Sequence, residues 1–302
     1  MDIEITDVAP RDGLQNEQKF VTTENKLKLI AKLVTAGIRS IQATSFVNPA
    51  RVPALADAEQ VVEGLEQFPH CTFSALIANQ KGYERARRAG ISHLHFIISA
   101  SEEGNRHNVN RSQADSLAVF AEIAKQSQHE AISLEVGIAR SFHCPFAGTT
   151  SVRTVAEIAQ AVRRFGDFPI SLGDADGMAF PNQVAEAIKV FEGDVGIPAH
   201  SIKLHFHDTY GRALANVLTG LTLGVRKFDA AVGGLGGCPF CPGSSGNLAT
   251  EDLVNFLEGQ GYSTGIEMEK LLDAAEFAVQ FSSRTYQGHL LRAMRPKTLT
   301  CH

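Results

Sequence analysis

Apolar positions recur along the chain in two alternating rhythms. Short runs rich in β-branched residues, the first being Ile3-Glu4-Ile5-Thr6-Asp7-Val8, alternate with longer stretches whose apolar residues fall every three or four positions. Thr23 to Ala36 is a stretch of the second kind. Leu27, Ile30, Leu33 and Val34 share one face, lysines take the other, and Gly37 supplies the stop. Further strands are predicted to begin near Ser40, Cys71, Ser92, Ile132, Ile170, Ile202 and Lys227. Between them helices are predicted at Ala56–Gln67, Gln80–Ala89, Ser112–Gln128, Val152–Phe165, Gln183–Glu192 and Arg212–Leu223. Two more follow the last strand, at Thr250–Glu258 and Met268–Ser283.

This is a succession of eight strand-then-helix units. Strands joined through helices run parallel, because a short hairpin cannot return the chain to the same edge. Eight such units in 302 residues predict an α/β fold, a closed (β/α)8 barrel. The open doubly wound sheet is the alternative, but no G-x-G-x-x-G follows the first strand. No linker, low-complexity stretch or internal repeat divides the sequence. Residues 1–302 therefore read as a single domain, with 260–302 a helical C-terminal appendage. In such a barrel the chemistry collects where the strands end.

Composition narrows the function. Hydrophobic residues are 44% and charged residues 20%, enough for a large core. Lys+Arg 28 against Asp+Glu 33 gives a net charge of -5, which argues against a general grip on nucleic acid or on an anionic membrane. No apolar run approaches the ~18 residues of a membrane span. Met1 to Pro10 is acidic where a signal peptide would be basic, and five cysteines make an odd, scattered set. A cytoplasmic protein in a reducing compartment is the expectation.

Three strand ends carry the candidate chemistry. In His205-Phe206-His207-Asp208 the two imidazoles stand at i and i+2 of a strand and so reach toward one ion. Arg11-Asp12 ends the first strand, and Gly246-Asn247 ends the loop after the eighth. Strands seven, eight and one are consecutive in a closed ring, so Asp12, His205, His207 and Asn247 converge as mixed oxygen and nitrogen ligands. That set suits a divalent metal of the magnesium, manganese or cobalt type, with zinc possible. Arg11 would then face a substrate anion in the barrel mouth.

Gly233 to Asn247 is the most distinctive stretch, with six glycines in fifteen residues. Such loops in compact domains are more often active-site lids than floppy turns. This one carries Cys238, whose ordinary pKa of ~8.5 is close enough to neutrality for proton transfer. Cys238-Pro239-Phe240-Cys241 is also a C-x-x-C, so a dithiol switch on the loop is a second reading.

On Val8-Ala9-Pro10-Arg11-Asp12-Gly13-Leu14-Gln15-Asn16-Glu17, on His205 to Asn216 and on Gly233 to Leu253, the chain resembles the 3-hydroxy-3-methylglutaryl-CoA lyases. These are metal-dependent barrel enzymes of a larger family that also holds isopropylmalate synthase. The similarity runs the whole length and includes Thr44-Ser45-Phe46-Val47-Asn48-Pro49 and Ser171-Leu172-Gly173-Asp174. It implies cleavage of a tertiary 3-hydroxyacyl-CoA into acetyl-CoA and a 3-oxoacid, with a divalent ion, Mg2+ or Mn2+, as cofactor. By position the family's metal ligands fall on Asp12, His205, His207 and Asn247. Its catalytic arginine falls on Arg11 and its loop thiol on Cys238, and Asp174 and Glu251 match its acidic positions. The resemblance also implies a homodimer that takes an acyl-CoA as partner, with Gln15, Asn16 and Thr44 beside the substrate. A condensing acyltransferase of the same family is the rival.

Several positions depart from the family. Gln42 stands where a glutamate is usual, and Asp176 where the residue is usually uncharged. Arg140 and His143 replace small or apolar residues. Drift explains these as well as retuning does. If the pocket is retuned for another acyl group, Arg140 takes a displaced carboxylate and Asp176 a polar substituent.

Overall fold

The computed structural model describes residues 3–237, 245–282 and 288–295. Eight parallel strands close a barrel in the order of the chain. They are β1 (Glu4–Asp7), β2 (Ser40–Ser45), β3 (Thr72–Ile77), β4 (His93–Ser99), β5 (Ser133–Ala139), β6 (Ile170–Asp174), β7 (Ile202–Phe206) and β8 (Lys227–Ala230). The ring closes between β1 and β8, in register from Glu4 beside Lys227 to Asp7 beside Ala230. Asp7 reinforces the closure: its buried carboxylate accepts from the Ala9 and Val232 amides and the Thr250 hydroxyl, at 2.9, 3.0 and 2.7 Å. Apolar residues on the outer faces of the strands, such as Leu94, Phe96 and Val136, pack beneath the helices.

The helices follow the sequence rhythm closely. They are α1 (Thr23–Ala36), α2 (Ala58–Glu63), α3 (Gln80–Ala89), α4 (Glu102–Val109), α5 (Gln113–His129), α6 (Val152–Arg163), α7 (Pro181–Val190), α8 (Ala213–Thr222), α9 (Thr250–Gly259), α10 (Met268–Val279) and α11 (His289–Met294). Thr22 caps α1 by accepting from the Asn25 amide, and Gly37 ends it in a left-handed turn. The chain after α9 returns to the start of the fold, where the Glu267 amide donates to Ala36 O at 2.7 Å and α10 packs on α1.

Three local features differ from the expected pattern. Ala56–Gln67 is not one helix: 3-10 turns at Pro53–Leu55 and Gly64–Gln67 flank the short α2. The helix α4 forms where no apolar period predicts one. Polar contacts hold it instead, with Ser101 Oγ accepting from the Gly104 amide and buried Asn105 donating to Arg111 O, Ser112 O and Ser116 Oγ. After β5, His143–Cys144 and Gly148–Thr149 form a two-stranded antiparallel ribbon.

Candidate active site

The site begins at the turn that follows β1. The amides of Arg11, Asp12 and Gly13 all donate to Val8 O, at 3.1, 2.8 and 3.2 Å, coiling Ala9–Gly13 into one wide turn. This turn buries Arg11 and Asp12 in the barrel mouth. Arg11 Nη1 donates to Asp12 Oδ1 at 2.5 Å and Arg11 Nε donates to Gln42 Oε1 on β2. Gln15 Nε2 donates to the same Asp12 oxygen at 2.8 Å.

Across the mouth, the end of β7 supplies the two imidazoles. Ligand atoms of Asp12, His205 and His207 lie within 4.8 Å of one another, and His207 Nε2 is 3.5 Å from Asp12 Oδ2. Asn247 completes the group. Its Nδ2 donates to Asp12 Oδ2 at 2.8 Å and to Leu235 O at 2.9 Å. Only glycine fits beside it, because a Cβ on Gly246 would stand 1.8 Å from Gly234 O. The backbone there bridges His207 to Asn247, so the glycine loop is tied to β7 as well as to β8.

Two buried polar atoms in this group have no hydrogen-bond partner, Asn247 Oδ1 and His207 Nδ1. Native interiors seldom leave such atoms unpaired, so an amide oxygen left open beside a carboxylate and two imidazoles fits a divalent cation. The electrostatics agree. Burial alone would raise the Asp12 carboxyl, but Arg11 and the two histidines outweigh it and hold the group well below the usual range. Burial lowers the His207 imidazole against the pull of Asp12, favouring the neutral, ligating form.

A cavity of about 650 Å³ opens beside these residues. Its walls include Ser45, Arg51, His95, Arg111, Arg140 and Asp229. Asn16 reaches the glycine loop, donating to Gly237 O at 2.7 Å. Arg140 lies in the left-handed region at φ +59°, with its guanidinium 5.0 Å from the Phe146 ring centre.

Other expected residues stand elsewhere. Thr44 is buried away from the cavity and Ser45 lines it instead, because the β2–β3 register shifts between Gln42 and Thr44 and changes which side chains face inward. Asp174 does not reach the cavity wall. Its oxygens accept from the Met178 and Ala179 amides at 3.0 and 3.1 Å, holding the turn after β6, and burial with the neighbouring Asp176 raises its carboxyl well above the usual range. Asp176 Oδ2 faces His143 Nδ1 at 2.6 Å rather than the cavity. Glu251 is buried under the glycine loop, accepting from the Gly233 amide at 3.0 Å. Cys238 and Cys241 lie outside the described residues. Sequence reasoning missed His95, Lys203 and Asp229 inside the barrel; their signal was polar side chains at alternate positions of parallel strands.

The contact between Gln42 and Arg11 makes a direct test possible. Gln42→Glu puts a second carboxylate on the arginine and adds a proton acceptor next to it. Turnover of 3-hydroxy-3-methylglutaryl-CoA, the substrate that the resemblance implies, is expected to change more than about tenfold, as an acid–base or charge contribution near a reacting centre can. A change under about threefold in steady-state kinetics would mark position 42 as silent.

Comparison with known proteins places the chain. Residues 2–278 match the HMGL-like family. A hydroxymethylglutaryl-CoA lyase of Bacillus subtilis is 41% identical over 91% of this chain and 91% of its own. The crystal structure of a hydroxymethylglutaryl-CoA lyase from Pseudomonas aeruginosa superposes with a TM-score of 0.92 at 33% identity, covering 98% of each chain. An HMG-CoA lyase from Acinetobacter baumannii, solved with coenzyme A and 3-methylmalate, also gives a TM-score of 0.92, at 38% identity over 97% of this chain and 95% of that one. With a closed barrel, a ligand cluster at its mouth and these relatives along nearly its full length, the chain belongs to the HMGL-like family, that of the hydroxymethylglutaryl-CoA lyases.

Proposed function

We propose that this protein cleaves a tertiary 3-hydroxyacyl-CoA, 3-hydroxy-3-methylglutaryl-CoA or a close analogue, into acetyl-CoA and a 3-oxoacid. The observation that carries the reading is the convergence of Asp12, His205 and His207, with the Asn247 side chain against Asp12, beside a buried arginine at the mouth of a cavity in a chain of this family. Mg2+ or Mn2+ is the ion that this donor set suits, with Asp12, His205, His207 and Asn247 as its protein ligands. When bound, a divalent cation supplies the Lewis acidity that brings a tertiary alcohol, near pKa ~16 when free, within reach of deprotonation at neutral pH.

The remaining work falls to this chain's own groups. In the cleavage the C3 hydroxyl gives its proton to the Cys238 thiolate and becomes a ketone, the C2–C3 bond breaks, and its electron pair moves onto the thioester as an enolate. Arg11 answers that developing charge. Asp12 and Gln42 hold its guanidinium from two sides, so it is oriented before the charge forms. His205 is held through Nδ1 by Asp229 at 3.2 Å, which leaves Nε2 to hold the ion. The acetyl carbon then takes a proton, a role we assign to the Cys238 thiol of the glycine loop. Asn16 and Glu251 anchor that loop through Gly237 O and the Gly233 amide. Arg140, on the cavity wall, is assigned to the substrate carboxylate. As its composition leads one to expect, the protein is taken to act in the cytoplasm, and, as the resemblance implies, as a homodimer. Among the described residues no helix is long and apolar enough to cross a membrane.

The test is removal of the ion. Protein stripped with EDTA is expected to release no acetyl-CoA from 3-hydroxy-3-methylglutaryl-CoA or its branched analogues, and added Mg2+ or Mn2+ to restore release. Equal rates before and after chelation would refute this mechanism.

A further inference from the structure

A chain of charged side chains crosses the barrel interior, and only its last link, Asp229 on His205, enters the cleavage described above. Lys203 on β7 donates to Glu135 Oε2 on β5 at 2.7 Å and lies 3.9 Å from Asp229 Oδ1 on β8. Each carboxylate in turn faces an imidazole. Glu135 Oε1 is 3.2 Å from His95 Nδ1 on β4, and Asp229 Oδ2 is 3.2 Å from His205 Nδ1. An eight-stranded barrel usually fills this space with branched aliphatic side chains. Charged groups there are costly unless something satisfies them.

The chain ends at the cavity. His95 and Asp229 both line it, with Gly137 on the wall beside them. Gly137 is what admits the imidazole, since a Cβ at that position would stand 2.1 Å from His95 Nε2. Asp229 is 5% exposed, and its Oδ1 is sealed from the cavity and faces Lys203 Nζ at 3.9 Å. The wall beyond His205 therefore offers the cavity the His95 imidazole, able to donate or accept.

We propose that His95, held by Glu135, forms a polar subsite for the C3 branch of the substrate. The preferred substrate is then a 3-hydroxyacyl-CoA whose C3 branch carries a hydroxyl group where 3-hydroxy-3-methylglutaryl-CoA has only a methyl. This deepens the lyase reading above and rests on it. A hydroxyl exchanges a hydrogen bond with the His95 imidazole. A methyl in the same place leaves the imidazole unsatisfied, and a second carboxylate meets the charges of Asp229 and Glu135. Lys203 is a positioning residue here: it fixes the two carboxylates that orient the two imidazoles.

The experiment compares two esters on the metal-loaded enzyme: 3-hydroxy-3-methylglutaryl-CoA and its analogue with 2-hydroxyethyl in place of the methyl. The wild type is expected to favour the hydroxylated ester by about tenfold or more in kcat/KM, the scale on which sites built to hydrogen-bond a hydroxyl reject its absence. His95→Leu is expected to reduce that ratio about tenfold, and His95→Gln, which keeps a hydrogen-bonding head, to retain most of it. Thermal unfolding of each variant shows whether the barrel is intact, and if His95→Leu does not fold, the wild-type ratio and His95→Gln decide. A wild type that prefers the methyl ester, or a ratio unmoved by His95→Leu, overturns the subsite while leaving the lyase reading in place. Cleavage of neither ester by metal-loaded protein overturns both.

Discussion

Replacing Arg11 by methionine is expected to lower kcat on the protein's acyl-CoA substrate by about a thousandfold, with KM changed far less. Arg11 is the one cation held by both Asp12 and Gln42 at the reacting end of the cavity, and its burial strips away the water that would screen its charge. A preorganised donor of this kind is used mainly in the transition state, and losing one costs about 10²–10³ in rate. Arg11→Lys should recover little, because a single ammonium cannot address Asp12, Gln42 and an enolate oxygen together. Divalent ion still raises the melting temperature of Arg11→Met if the four ligands are intact, which separates lost chemistry from a lost site. A loss in kcat below about tenfold would remove Arg11 from the centre of the mechanism.

Asp12→Ala is expected to do more damage, and of a different kind. The substitution removes a proposed ligand, leaves Asn247 and Gln15 without the carboxylate they share, and strands Arg11 as a buried cation. Breaking one partner of a buried ion pair costs about 3–5 kcal/mol. The variant should therefore melt earlier than the wild type, show no upward shift on adding Mg2+ or Mn2+, and release no measurable acetyl-CoA. The ion's stabilisation follows RT ln(1 + [L]/Kd), so a scan over metal concentration reads its affinity directly. Wild-type metal stabilisation in Asp12→Ala would mean that the ion sits elsewhere.

Much of this was legible from residue order because the fold obeys local rules. Thr22 and Gly37 bracket α1, alternating units dictate parallel strands, and an eight-unit ring brings Asp12, His205, His207 and Asn247 to one place. What escaped has physical causes. The helix α4 has no apolar stripe and stands on side-chain caps and on Asn105, which periodicity does not register. Thr44 and Ser45 exchange roles through a register shift invisible in one strand alone. Asp174 and Glu251 look like catalytic acids by position, yet their oxygens are bonded to backbone amides. His95, Glu135, Lys203 and Asp229 come from four different strands, so their connection exists only once the ring is closed.

That closure also orders events in time. Asp12 leaves the ribosome more than two hundred residues before Asn247 and the β8 strand beside β1. At about 5–20 residues per second, the first strand waits on the order of ten seconds or more for its neighbour. Through that wait the edge of β1 that β8 will cover stays unpaired, and the proposed ion site cannot be complete. Ion capture thus reports the last seam of the ring, and a nascent chain trapped short of β8 should be blind to metal however well its earlier helices have formed.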